Sequence, residues 1–365
     1  MNVVDFFSGC GGASYGFRQA GCKILVGIDN NSDAASTFSC NFPEAMVFNE
    51  DIRSIETNAL SPLLSSCNGS LLFSACAPCQ PFSKQNRQKK GGDERINLLD
   101  EFCRFVEFYL PDYIFIENVP GLQKFSGEDG PLQGFCKKLT ELNYPPPYIG
   151  IAFALRYGVP QWRPRLIIIA SKHEPLVFPP TTHGEGKGAL PPSTVRDWIG
   201  DMPPLEAGEC DPHDADHRAA VLSVENIKRI RHTPEGGDRR NWPSSLRLRC
   251  HEKVFVKTGK ESHTDVYGRL AFDKPASGLT TRCISYSNGR FGHPTQDRAI
   301  SLREAACLQT FPKDFHFVGS LNSRARQVGN AVPPLLAEQF GKHFIATELL
   351  RRRELNGGMV TLWHS

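Results

Sequence analysis

Three features of the chain predict an α/β fold, a doubly wound and mostly parallel sheet accompanied by a smaller, irregular second domain. Short apolar runs alternate with helical segments through the first half, and glycines and carboxylates sit at the ends of those runs. Near Thr182 the texture changes to a stretch crowded with Pro and Gly, "HEPLVFPPTTHGEGKGALPPS", where the alternation stops.

The runs Val3–Phe7, Ile24–Asp29, Leu71–Ala75, Tyr113–Glu117, Tyr148–Leu155 and Arg165–Ser171 read as strands. Several are apolar at nearly every position, which suits strands covered on both faces. Between them lie helix candidates such as Asn97–Tyr109, where Leu98, Leu99, Phe102, Phe105, Val106 and Tyr109 mark one face. Beyond the break, "SVENIKRIRH" predicts a helix capped by Ser223, "SLREAACLQTF" restores helical periodicity, and a long helix opened by prolines closes the chain. The organisation expected is a first domain over 1–182, a second over 183–320, and a segment 321–365 that returns to the first. Ligands of such sheets bind beyond the carboxyl ends of the strands.

With 365 residues, 40% hydrophobic and 22% charged, the chain can bury a sizeable core. It begins without a basic leader and holds no run of eighteen apolar residues, so it reads as soluble and cytoplasmic, associated with the nucleoid in a bacterium. Most of the twelve cysteines are scattered singly, as in a reducing compartment. The net charge of +3 hides an asymmetry: residues 183–216 carry 2 Lys and Arg against 8 Asp and Glu, whereas 217–290 carry 15 against 7. A segment with that basic excess suits a surface facing phosphates.

Four constellations carry chemistry. In "DFFSGCGGASYGF", Gly9, Gly11 and Gly12 follow the first strand and open a helix, where bare backbone can approach a cofactor. Asp29 ends the second strand, placed to accept from ribose hydroxyls, and Asp51 follows where it can meet an adenine edge. In "CAPCQPFSKQNRQKK", Cys76 and Cys79 could form a redox pair, half a zinc site, or one reactive thiol. The polar sequence that follows disfavours an active-site redox helix, and no second C-x-x-C exists to complete zinc, so no metal is expected. A nucleophilic thiol at Cys79 is the better reading, followed by a basic loop with Lys84 and Arg87 that can close over a polyanion. In "IFIENVPG", Glu117 ends an apolar strand, partly desolvated and able to share or donate a proton. In "GVPQWRPRLIII", Arg163 and Arg165 lie two apart and so project to one side on entering a strand, where they can fork onto a phosphate or a carbonyl.

Taken in order, these motifs resemble the DNA (cytosine-5)-methyltransferase family of bacterial restriction-modification systems. "DFFSGCGG" resembles its S-adenosylmethionine loop, "APCQPFS" its nucleophile turn, "ENVPG" its catalytic glutamate and "QWRPR" its arginine pair. "RAISLREAACLQTFP" and "RQVGNAVPP" resemble the elements that organise its recognition domain and return to the cofactor pocket. The resemblance implies the Rossmann-like fold of S-adenosylmethionine-dependent methyltransferases, with 1–182 catalytic and 183–320 the target-recognition domain with its linker. It implies S-adenosylmethionine as cofactor, held by Phe7, Ser8, Gly9, Gly11, Gly12, Asp29, Asn30, Asp51, Ile52, Pro78, Asn330 and Val332. Cys79, Glu117, Arg163 and Arg165 would be catalytic. Duplex DNA would be met by Gln80, Ser83, Lys84, Arg87, Arg239, Arg240, Arg247, Arg249, Thr280 and Thr281. A cognate restriction endonuclease is an implied partner, and the chain is expected as a monomer or weak dimer.

The chemistry implied is addition of the Cys79 thiolate to carbon 6 of a flipped cytosine, with Glu117 at ring nitrogen 3 and the arginines at the base oxygen and a nearby phosphate. The alternative inside the class is a tRNA cytosine-5 methyltransferase with the same core, against which the long basic segment favours duplex DNA. A nicotinamide-dependent oxidoreductase would use the glycine loop but has no need of Cys79. A catalytically silent DNA-binding module would have no need of Cys79 and Glu117 together.

Overall fold

The computed structural model describes residues 1–77, 98–121, 130–186, 188–249 and 265–361, with side chains described as far as 355. It divides into two compact units. The first comprises 1–153, 164–181 and 332–365, the second 154–163 and 182–331.

The first unit is built on β1 (Asn2–Phe6), α1 (Gly12–Gln19), β2 (Lys23–Ile28), α2 (Ser32–Asn41), β3 (Met46–Phe48), α3 (Ser61–Leu64), β4 (Leu71–Ala75), α4 (Leu98–Tyr109), β5 (Tyr113–Asn118), α5 (Pro131–Glu141) and β6 (Tyr148–Phe153). The chain then makes β7 (Gln161–Trp162) in the second unit and β8 (Pro164–Ser171) back in the first. The sheet runs β3-β2-β1-β4-β5-β8-β6. β1 to β5 pair in parallel, while β8 lies antiparallel between β5 and β6. The predicted doubly wound, mostly parallel sheet is thus present, with one reversed strand. β3, only three residues and partly exposed, carries too short a pattern to read from sequence.

β1, β4 and β5 are apolar along most of their length because helices cover both faces. Phe6 of β1 meets Phe73 and Phe102 edge-on, at 5.0 and 5.1 Å between ring centres, which fixes α4 on one face. On the other face the carboxy-terminal helix packs against α1. Gly16 is the contact: a Cβ there would lie 2.1 Å from the Pro334 carbonyl oxygen and 2.7 Å from Ala337 Cβ.

The second unit holds α6 (Val195–Ile199), α7 (Val224–Arg231), the short β9 (Ala276–Ser277) paired with β7, α8 (Leu302–Leu308) and α9 (Leu321–Asn330); α10 (Pro334–Thr361) then belongs to the first unit. Ser223 caps α7, its hydroxyl accepting from the Asn226 N–H. With so little regular structure, buried arginines tie the loops. Arg269 donates to the carbonyls of Thr233, His293 and Ile230, and Arg298 forks onto both oxygens of Glu304 at 2.7 Å. Burial pushes the Glu304 carboxyl up, and the Arg298 fork more than reverses that, leaving it below the ordinary carboxylate value. Glu304 also closes a capping box with Ser301 at the start of α8.

Gly16→Ala is expected to cost about 1–3 kcal/mol by driving a methyl into the α10 backbone, measured as a lowered midpoint in urea unfolding. Glu304→Ala strands a buried guanidinium and should cost about 3–5 kcal/mol, much of it regained in R298M/E304L, where both charges are gone.

Candidate catalytic and cofactor site

The glycine loop leaves the carboxyl end of β1 through a strained turn. Phe7 is a non-glycine residue at φ +56°, followed by Gly9 at +53° and Gly11 at +93°. Gly11 is required twice over, since a Cβ would also sit 2.4 Å from the Phe42 ring. At Gly9 the opposite holds: nothing lies within 4 Å of where a Cβ would point, so the loop faces open space. Asp29 braces this loop, one carboxylate oxygen accepting from the Gly9 N–H at 2.8 Å and the other from the Asn31 N–H at 2.8 Å. Burial raises the Asp29 carboxyl above its ordinary value.

Two features make the loop fit a polar ligand. α1 opens at Gly11 with no side chain capping it, so bare backbone faces the loop. The Ser8 hydroxyl is buried without a hydrogen-bond partner among the described residues. Asn30, Asp51 and Ile52 follow at the ends of β2 and β3. Asp51 is gripped by Arg53, with contacts of 2.9 and 2.7 Å that hold its carboxyl at about 2. An adenine edge would share that carboxylate with Arg53. Asn330 ends α9 in the second unit, and the buried Val332 opens the returning segment of the first.

Glu117 lies at the carboxyl end of β5, buried, 2.8 Å from Arg165 Nε on the neighbouring β8. The guanidinium N–H is not aimed at the oxygen, so the contact is an ion pair, and Glu117 Oε1 has no aligned hydrogen bond among the described residues. Arg165 Nη1 donates to the Pro164 carbonyl at 2.8 Å. Asn118, not singled out in the sequence, bonds with its amide oxygen to the Val119 N–H at 2.9 Å and with its nitrogen to the Ala77 carbonyl at 3.4 Å. It thereby ties the end of β5 to the residue that leaves β4. Its only sequence signal is a polar side chain closing an apolar strand. Cys76 stands just past β4, its N–H bonded to the Phe6 carbonyl at 3.2 Å. Cys79, Pro78, Gln80, Ser83, Lys84 and Arg87 lie outside the described residues.

The arginine pair needs correction. Arg163 does not share a side with Arg165; it is a buried clamp of the second unit. It donates to the carbonyls of Leu279, Gly329 and Ala331 at 2.9 to 3.0 Å. Gln161 and Gln309 complete that network: Gln161 Oε1 accepts from the Leu279 N–H, its amide nitrogen reaches Gln309 at 2.6 Å, and Gln309 donates to Val328 and Ala331. A guanidinium so occupied acts by holding the loop, not by meeting substrate. Arg239 requires a similar revision, because it is buried in a short 3-10 turn instead of facing solvent. Arg240 is exposed but forked onto Asp238 at 2.8 and 2.7 Å. Arg247 and Arg249 are exposed. The Thr280 hydroxyl accepts from the Arg282 N–H at 3.3 Å, and Thr281 is exposed beside it. Among the described residues no group of three His, Cys, Asp or Glu is arranged to hold a metal, and no helix is long and apolar enough to cross a membrane.

The solved structures of similar fold are methyltransferases. A putative DNA modification methyltransferase encoded in an E. coli prophage superposes with a TM-score of 0.68 at 22% identity, over 95% of this chain and 99% of that one. The Spodoptera frugiperda DNMT2 superposes at 0.61 with 18% identity, over 93% and 98%. The family model for C-5 cytosine-specific DNA methylase matches residues 1–346, and the chain belongs to that family. Among curated relatives, the Type II methylase M.HgiDII of Herpetosiphon aurantiacus is 38% identical over 93% of this chain and 94% of its own length. The Type II methyltransferase M1.HphI of Haemophilus parahaemolyticus is 31% identical over 93% and 85%. The protein is a DNA (cytosine-5)-methyltransferase.

Beneath the loop, Asp5 is fully buried and accepts from the Ser14 hydroxyl at 2.6 Å, while its other oxygen lacks a partner among the described residues. Ser74, its register partner on β4, makes no aligned hydrogen bond to it, and burial raises the Asp5 carboxyl to about 6. A carboxyl raised on folding lends stability that is present below about pH 4 and lost as pH climbs through about 6. Asp5→Asn should abolish that loss, up to about 3 kcal/mol between pH 4 and 7, read as the difference between the two proteins' unfolding free energies across the range.

Proposed function

We propose that the chain transfers a methyl group from S-adenosylmethionine to carbon 5 of a cytosine flipped out of a specific duplex DNA sequence, by covalent catalysis through Cys79. The observation that carries the reading is the pair of the buried Glu117 at the carboxyl end of β5 and the half-buried Arg165 at the start of the antiparallel β8, with Asn118 bonded to the Ala77 carbonyl.

The Cys79 thiolate adds to carbon 6 of the cytosine, and the electrons displaced from the 5,6 double bond build up toward carbon 5 and ring nitrogen 3. Glu117 holds ring nitrogen 3 and is placed to share a proton with it as that charge builds. Arg165 holds Glu117 in place and supports the developing negative charge at the base oxygen. Bound at the glycine loop, S-adenosylmethionine supplies an electrophilic methyl group to carbon 5. Removal of the carbon-5 proton by a base, with the nitrogen-3 proton returned to Glu117, then restores the 5,6 double bond and expels the Cys79 thiolate. Phe7, Ser8, Gly9, Gly11 and Gly12 would hold the amino-acid end of the cofactor, where the Ser8 hydroxyl has no partner among the described residues. Asp29, Asn30, Asp51, Ile52 and Pro78, with Asn330 and Val332, would line its nucleoside end. Flipping the base costs a few kcal/mol, offset by phosphate contacts. Gln80, Ser83, Lys84 and Arg87 would make such contacts, with Arg247, Arg249, Thr280 and Thr281 from the second unit.

The Type II names of the relatives support a place beside a cognate restriction endonuclease, acting on cytoplasmic DNA. The tRNA reading is less supported, since the family model that matches residues 1–346 is that of a DNA methylase.

Cys79→Ser should lower methyl transfer from labelled S-adenosylmethionine to duplex DNA by at least 1000-fold while leaving cofactor affinity, followed by calorimetry, within about twofold. Turnover near that of the natural protein would remove Cys79 from the chemistry, and labelling of tRNA in preference to DNA would remove the substrate assignment.

A further inference from the structure

We propose that Arg282 and Arg326 together form a phosphate-binding pair on the second unit, taking the backbone of duplex DNA next to Thr281. The proposal rests on the DNA-methylating function above but gives a role to two residues that were assigned none there.

The second unit spends most of its arginines internally. Arg196 pairs with Asp273 at 2.7 Å, Arg231 with Asp297 at 3.3 Å, Arg240 with Asp238 at 2.7 Å, and Arg324 with Asp216. Arg282 and Arg326 differ: both are exposed, and neither side chain has an ion pair or hydrogen bond to a described residue. An arginine with a carboxylate beside it has little charge left for a phosphate, whereas these two keep theirs.

The backbone brings them together. The Cys283 thiol donates to the Ala325 carbonyl at 3.5 Å, so Arg282 and Arg326 flank a single contact between the Thr280–Cys283 turn and α9. A turn farther along α9, Gly329 is pressed against the same turn: a Cβ would lie 2.0 Å from the Thr280 carbonyl oxygen and 2.6 Å from the Thr281 nitrogen. The turn is fixed from within as well, since Cys283 N–H bonds to the Thr280 carbonyl at 3.0 Å and Ser285 N–H to the Arg282 carbonyl at 2.9 Å. Two long cationic side chains therefore stand on a rigid, interlocked base, with the exposed Thr281 hydroxyl beside them. Two guanidiniums with no carboxylate beside them among the described residues suit a polyanion, whose binding releases its counterions. Duplex DNA offers phosphates along a continuous strand, which two such side chains can meet together.

The test is the salt dependence of duplex DNA binding by the full chain, with R282Q, R326Q and the double variant. Each phosphate contact contributes about 0.9 to the slope of log affinity against log salt, so each single change should reduce the slope by about 0.9 and the double by about 1.8. S-adenosylmethionine affinity and melting temperature should stay as in the natural protein, and R282K/R326K should restore the slope. A natural protein that methylates DNA while the variants keep its full slope overturns the pair. A natural protein that neither binds nor methylates duplex DNA overturns instead the function on which the pair rests.

Discussion

The site depends on one reversal in the sheet. In a fully parallel sheet, every residue at a carboxyl end arrives on a departing strand, and residues that begin strands lie at the opposite edge. Because β8 runs antiparallel to β5, its entering residue is carried to the edge where β5 ends: Asn118 pairs with Leu166 and Glu117 with Ile167. Arg165, one step earlier on β8, thus reaches Glu117. A carboxylate buried at a strand end without a cation would favour its neutral form, and a guanidinium there without a carboxylate would be stranded. Each makes the other's burial tolerable, and the reversal is what lets them meet.

Arginine has two separate uses in the second unit, distinguished by what faces it. Arg163, Arg269 and Arg298 are buried and bonded to carbonyls or a carboxylate, replacing ladder hydrogen bonds that an irregular fold lacks. Arg282, Arg326, Arg247 and Arg249 stay at the surface. Net charge along the sequence counts both kinds alike. The excess in 217–290 is therefore a poor guide to which residues meet an anion, and the distribution of carboxylate partners is a better one.

Much of the first unit was legible because its signals are local. An apolar run bounded by glycine or a carboxylate needs no partner to be recognised as a buried strand, and β4 and β5 fell where their runs lie. The antiparallel placement of β8 was not legible, since its sequence is as apolar as its neighbours' and direction is decided by the connection through the second unit. The two-residue spacing of Arg163 and Arg165 misled for a related reason. Side chains two apart share a side only within one continuous strand, and here β7 ends at Trp162 and β8 begins at Pro164, with the division between units falling after Arg163. Charge does not predict exposure at the buried Arg239, since nothing local in a sequence distinguishes a buried arginine from a solvated one.

The thiols of the described residues sharpen what a nucleophile here would require. Burial pushes Cys10 and Cys283 to about 12 and Cys22, Cys103 and Cys307 to about 11, so at neutral pH these thiols stay protonated. Cys283 shows how strong the effect is, since Arg163 lowers its value and burial still prevails. A thiolate therefore does not arise in this chain merely by placing a cation near a buried cysteine; it also needs access to water or to a polar partner that stabilises the charge. In the sequence, Cys79 is followed by "QPFSKQNRQKK", whose polar and basic residues are neighbours of the kind a thiolate needs.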